Sequence, residues 1–240
     1  MKTTVLIFSL ALAGCITNAR AADTPKETVF DKKPLGIQVS IKMTGPYMQA
    51  TDLQIICLFK HKASGDIYQG AAKATDEHLN GILSALRNRG EFAGELGETF
   101  LFTPPKGSIP AKQFMVIGLG EEKDLSLDSL RVIGRIAVRE AVRLKAKRVA
   151  WAPVIRDEGN STIDVGEGDR AFIEQMLLAY DTEKHLQEQG LSPKFSIKDF
   201  VIEAGPAFFD SAVKQVGEGI ESSLAGLGQR AAAPWCSPGK

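Results

Sequence analysis

The sequence predicts an α/β layered domain: three layers, with a mixed and mostly parallel sheet flanked by helices. Two observations carry that reading. Short apolar, β-branched runs bounded by Gly, Pro and Asp alternate with longer stretches whose apolar residues recur at helical spacing. The alternation continues through most of a 240-residue chain, which is long enough to bury a substantial core.

The elements follow in order. Met1-Lys2 is a short basic start, and Val5 to Ala13 is an apolar run too short to span a bilayer, so residues 1–21 read as a signal peptide. Two processing sites compete. Leu12-Ala13-Gly14-Cys15 has the form of a lipobox, in which Cys15 is lipidated, and Ala19-Arg20-Ala21 has the small-x-small form of ordinary secretion. Either predicts an exported bacterial protein, periplasmic or held at the outer membrane as a lipoprotein. Contact with a membrane is then expected only through that lipid anchor. Residues 22–34, with Pro25 and Pro34, read as a linker.

The domain is expected over 35–225. "LGIQVSIK" and "LQIICLF" read as strands. "TDEHLNGILSALRNRG" reads as one helix, with Leu79, Ile82, Leu83 and Leu86 on one face, Thr75 as cap and Gly90 as stop. "ETFLFT" and "QFMVIGLG" are strands, and residues 126–147 form a long helix capped by Ser126. "RVAWAPV" is a buried strand, and 157–169 a polar, solvated loop. A helix over 169–189 carries Phe172, Ile173, Met176 and Tyr180 on one side. "FSIKDFVIE" is a strand and 207–223 the last helix. The end, 226–240, is rich in small residues and proline and reads as a flexible tail.

The charge balance excludes some functions. Lys+Arg and Asp+Glu are 29 each, so no global basic field argues for nucleic acid. The exception is local: Arg131, Arg135, Arg139, Arg143 and Lys147 recur every fourth residue and form one stripe on the long helix. That stripe is either an anion-binding face or the solvated side of an amphipathic helix. Gly118-Leu119-Gly120 ends a strand before that helix, but Lys123 stands where a dinucleotide fingerprint needs its third glycine. Glu121 and Glu122 would also repel a phosphate, so these glycines read as a turn out of the sheet.

Other chemistry is sparse. His61, His78 and His185 are far apart, with no H-E-x-x-H, C-x-x-C or G-x-S-x-G. Asp157, Glu158, Asp164, Glu167 and Asp169 gather in one stretch without the spacing of a calcium loop. No catalytic residue, metal ligand or cofactor-binding residue is assigned, and no cofactor is expected. Cys57 lies in an apolar strand, and a bridge to Cys236 is open in an oxidising compartment.

Three segments, "HLNGILSALRNRGEFAGELGETFLF", "FMVIGLGEEKDLSLDSLRVIGRIAVREAVRLKAKRVAWAP" and "AFIEQMLLAYDTEKH", together resemble the N-terminal domain of the leucyl (cytosol) aminopeptidase family. The resemblance rests on Gly90, Phe92, Gly94 and Gly97, then Gly118 to Gly120. It continues with Leu127, Leu130 and Arg131, and then Glu174, Leu178 and Tyr180. It implies a macro-domain-like fold. In that family a catalytic half follows, holding two divalent metals. Its F-D-T-G-G and N-T-D-A-E-G-R-L motifs do not occur in this sequence, so no catalytic residue carries over. The export signal departs from a family known mainly as cytosolic, and Glu95 and Glu98 make the glycine loop acidic. Three functions follow as expectations: a non-catalytic binding or assembly protein, an accessory subunit of a separate catalytic chain, or a module for a nucleotide or ADP-ribose. The expected partner is a protein, a peptide or a second copy of the chain; nucleic acid is not expected.

Overall fold

The computed structural model describes residues 25–232. They form a seven-stranded sheet in the order β1-β2-β7-β6-β3-β5-β4. The strands are β1 (Glu27–Val29), β2 (Gln38–Lys42), β3 (Leu53–Leu58), β4 (Thr99–Phe102), β5 (Gln113–Gly118), β6 (Arg148–Ala152) and β7 (Asp199–Glu203). The helices are α1 (Gly70–His78), α2 (Ile82–Asn88), α3 (Leu127–Arg143), α4 (Val165–Glu188) and α5 (Phe209–Ala232). The five inner strands run parallel, and only the edge strands β1 and β4 pair antiparallel. The predicted three-layer, mostly parallel α/β architecture is therefore present.

Each inner strand sends alternate residues to opposite faces. Ile55 and Cys57 of β3 join Trp151 of β6 and Phe200 of β7 under α3, α4 and α5, while Ile56 and Leu58 pack with Leu79, just after α1, and Leu83 of α2. Burial on both faces explains why β3 reads as a continuous apolar run. Trp151 stacks on Phe172 at 3.7 Å and 6°, tying β6 to α4. Ser126 caps α3 as expected, with a reciprocal bond to Ser129.

Several boundaries differ from the sequence reading, each for a physical reason. The single helix expected over 75–90 is two. Asn80 and Gly81 take positive φ, 59° and 77°, and Asp76 turns back to accept from the Leu83 and Ser84 N–H groups that open α2. Thr75 is therefore not a cap; it lies inside α1 and donates to the Ala71 carbonyl. The linker expected over 22–34 contains β1, whose three residues pair with β2, and of the tail expected over 226–240 the part up to Ala232 is the last turns of α5, the rest lying outside the described residues. Helix α4 begins at Val165, so the loop expected over 157–169 is shorter and much of it is not solvated. The signal peptide, Cys15 and Cys236 lie outside the described residues.

The glycine pair of "GLG" serves close approach. A Cβ on Gly118 would sit 2.0 Å from the Glu95 carbonyl oxygen. The loop carrying Gly94 and Gly97 packs against it, with Gly97 N–H donating to Gly118 O and Gly120 N–H to Gly94 O. Two motifs distant in sequence are one backbone-to-backbone contact at the end of β5.

Candidate functional site: a cleft at the carboxyl edge of the sheet

The parallel strands deliver their carboxyl ends to one edge. From β3 the chain leaves through α1 and α2 toward β5; from its neighbour β6 it leaves through α4 toward β7, on the other face. The two connections diverge, which opens a crevice where ligands bind in sheets of this kind. A cavity of about 360 Å³ lies there. That volume falls within the range of small-molecule sites.

Its walls include the start of α1 at Gly70 and Ala71, Leu130 of α3, and four further segments. Trp151 and Pro153 end β6, and Ile155 begins the turn that follows. Ile163 and Val165 open α4. Glu203 and Ala204 end β7, with Phe208 just beyond, and Tyr47 follows β2. The surface is mainly apolar.

Asp169 also lines the cavity. It is 1% exposed, and neither carboxylate oxygen has a hydrogen-bond partner. Burial, and then the charge of Asp164, push its pKa well above the ordinary value. Glu203, 4% exposed, accepts from Gln54 Nε2 at 3.2 Å through Oε2, while Oε1 is unpartnered. Burial lifts its pKa to about 8 against the opposing Gln54 bond. Arg156 is the basic residue among those lining the cavity. Its guanidinium donates to the Asn160 and Ile163 carbonyls, at 2.9 and 2.6 Å.

Several backbone N–H groups of this edge, the usual anion receptors of such folds, already carry a carboxylate. Asp157 accepts from Ala72 N–H at the start of α1 (3.0 Å), and Asp164 caps α4 through Glu167 N–H (3.1 Å). Glu158 accepts from Phe59 N–H at the end of β3 (3.0 Å), and burial raises its pKa to about 8. Glu98 accepts from the N–H groups of Ala93, Gly94 and Glu95 (3.2, 2.7 and 3.1 Å), filling the loop that carries Gly94 and Gly97.

The acids of the 157–169 stretch are thus dispersed. Asp157, Glu158 and Asp164 hold backbone, and Asp169 is buried on α4. The expected solvated loop is corrected in part: Asp157 and Glu158 find N–H partners distant in sequence, while Asp164 caps its own helix and stays exposed with Glu167. Sequence reading missed Asp169 and Glu203 as site residues. One signal was present, since Asp169 lies one turn before Phe172 and Ile173 on the inward face of α4.

The basic stripe lies elsewhere, on α3. Arg131 pairs with Asp128 (2.6 Å), Arg135 donates to Gln175 Oε1 (3.0 Å), and Arg139 faces Glu183 (3.7 Å). Arg143 pairs with Glu140, and Lys147 is exposed beyond the helix end. Two of the five therefore reach α4. The histidines remain apart: His61 bonds Asp66 (2.9 Å), His78 stacks on Tyr47 (4.5 Å), and His185 approaches Asp181 (3.4 Å). Cys57 is buried, with Trp151 Nε1 3.4 Å from its sulfur, and burial pushes its pKa to about 12.

Fold and cleft together define a three-layer α/β domain with a switch-point crevice. The chain belongs to the cytosol aminopeptidase family: the model of that family's N-terminal domain matches residues 55–187. A probable cytosol aminopeptidase of Alkaliphilus oremlandii is 37% identical over 107 residues, which are 42% of this chain and 21% of that protein. The matched chain thus spans about a fifth of that relative's length. Among solved structures, a tomato leucine aminopeptidase mutant superposes with a TM-score of 0.60 at 18% identity, over 85% of this chain and 37% of that one. An Oceanobacillus iheyensis macrodomain mutant gives a TM-score of 0.57 at 10% identity, over 85% and 97%; this macrodomain has also been solved with ADP. Both likenesses concern the fold, and they confirm its macrodomain-like character.

Proposed function

We propose that this chain is an exported, non-catalytic binding protein built on the aminopeptidase N-terminal fold, and that its ligand enters the cleft between β6, β7 and α4. The observation that carries this reading is Asp169. Leaving a buried carboxyl without any partner costs on the order of 1–3 kcal/mol even when neutral, and more when charged. Such groups concentrate at functional sites. Export rests on the N-terminal sequence alone.

A nucleotide or ADP-ribose is the weaker reading. It draws on the likeness to a macrodomain solved with ADP. Yet carboxylates of Asp157, Asp164, Glu158 and Glu98 stand at the N–H groups a diphosphate would use.

Ligand-observed NMR against a fragment library tests the cleft. Val165→Trp places an indole in the cavity mouth. Fragments that bind the natural protein should lose binding in this variant. A library whose hits bind both proteins equally would place the ligand site elsewhere.

A further inference from the structure

The chemistry of the cleft narrows its ligand. Phosphate-type anions are disfavoured because the chain's own carboxylates, Asp157 and Asp164, stand at the starts of α1 and α4, where they repel a second anion. In their ionised forms Asp169 and Glu203 ask only for donors and for positive charge. Asp169 has two free oxygens and Glu203 one, and both residues line one apolar cavity. The remaining charged groups of the lining do not answer them: Arg156 is committed to two backbone carbonyls, and Asp157 and Asp164 are acids at helix starts.

We propose that the cleft binds a primary or secondary organic ammonium on an apolar body, with Asp169 as acceptor and counter-ion and the free oxygen of Glu203 as a further acceptor. This inference rests on the cleft being the ligand site. An ammonium has N–H donors to offer and no acceptor, so it complements unpaired oxygens without adding an unpaired one of its own. Its apolar body would lie against Trp151, Ile163 and Phe208, which have no polar demand to make of a ligand except through the indole N–H already directed at Cys57. A charge-assisted hydrogen bond in a desolvated pocket separates an ammonium from a neutral isostere by roughly 10- to 100-fold in affinity.

The binding carries a proton linkage. Burial, and then the charge of Asp164, push Asp169 toward its neutral form; Glu203 and Asp157 offer no positive charge, and Arg156 is turned to carbonyls. An entering cation ionises Asp169 and releases a proton, so affinity rises with pH below the pKa of the empty site, by up to about tenfold per unit.

Isothermal titration calorimetry on the intact protein tests this with phenethylammonium, its neutral isostere 2-phenylethanol, and AMP, between pH 5.5 and 8. The amine should bind at least tenfold more tightly than the alcohol, more tightly as pH rises, and AMP should not compete. Asp169→Asn keeps shape and loses charge; it should bring the amine to the level of the alcohol. Glu203→Gln, whose amide oxygen can still accept from Gln54, should weaken the amine less, and it serves if Asp169→Asn does not fold. Equal binding of amine and alcohol, abolished by Val165→Trp, would overturn the ammonium inference and leave the cleft reading standing. Binding of neither, or binding indifferent to Val165→Trp, would overturn both. Competition by AMP would overturn the selectivity claimed here.

Discussion

At the scale of single residues, burial decides what each acid does. Glu167 is exposed at the start of α4, whereas Asp169, two residues on, faces the core. Glu203 gives a pH signature. Its folded pKa, about 8, lies above the ordinary 4.5, so the folded state holds the proton more tightly. The stability this confers is complete below about pH 4.5 and is lost as pH rises toward 8. Glu203→Gln removes that loss. Urea unfolding should show the variant gaining on the natural protein between pH 5 and pH 8, with Glu158 contributing equally to both. A difference that does not change with pH would show that Glu203 is ionised in the folded protein.

At the scale of elements, helix α3 is held by its buried side and only partly steered by its basic stripe. Leu130, Ile133, Ala137 and Ala141 lie in the main core, and a Cβ on Gly134 would meet the Phe172 carbonyl at 2.4 Å, so α3 and α4 touch backbone to backbone. Across that contact Arg135 reaches Gln175 and Arg139 reaches Glu183. The triple variant Arg135→Glu, Arg139→Glu, Arg143→Glu would set like charges at Glu183 and Glu140. It should destabilise the fold by about 1–3 kcal/mol and lower the melting temperature by several degrees. If thermal melting is unchanged, the stripe is merely solvated and its pairs contribute nothing. The same variant, tested on anionic vesicles, shows whether the face binds anions at all.

At the scale of the whole molecule, the cleft at the sheet edge is the candidate site, and among the described residues no group of three or more His, Cys, Asp or Glu could hold a metal ion. The purified protein should not turn over leucyl-p-nitroanilide with Mn²⁺ or Zn²⁺, and its intact mass should begin at a lipidated Cys15 or near Ala22. Chelator-sensitive turnover would end the non-catalytic reading, and a mass that includes Met1 would end the export reading. No helix among the described residues is long and apolar enough to cross a membrane.

Much of the fold was legible because periodicity is a local property. The strands carry their apolar runs, α3 its Ser126 cap and α4 its inward face, so element type and order followed from the chain, and the glycine motifs pointed to the family. Boundaries failed where partners come from elsewhere: α1 starts at Gly70 because Asp157, 85 residues on, accepts from Ala72 N–H. The cleft was not legible for the same reason. It exists only because the connections after β3 and β6 leave on opposite faces, which brings Asp169 and Glu203 to one cavity. The sequence by itself determined the layers, their order and the family. Tertiary structure alone decided which acids are held by backbone N–H groups and which are left buried and unpaired, since burial and partner geometry are properties of the packed sheet edge and not of any segment.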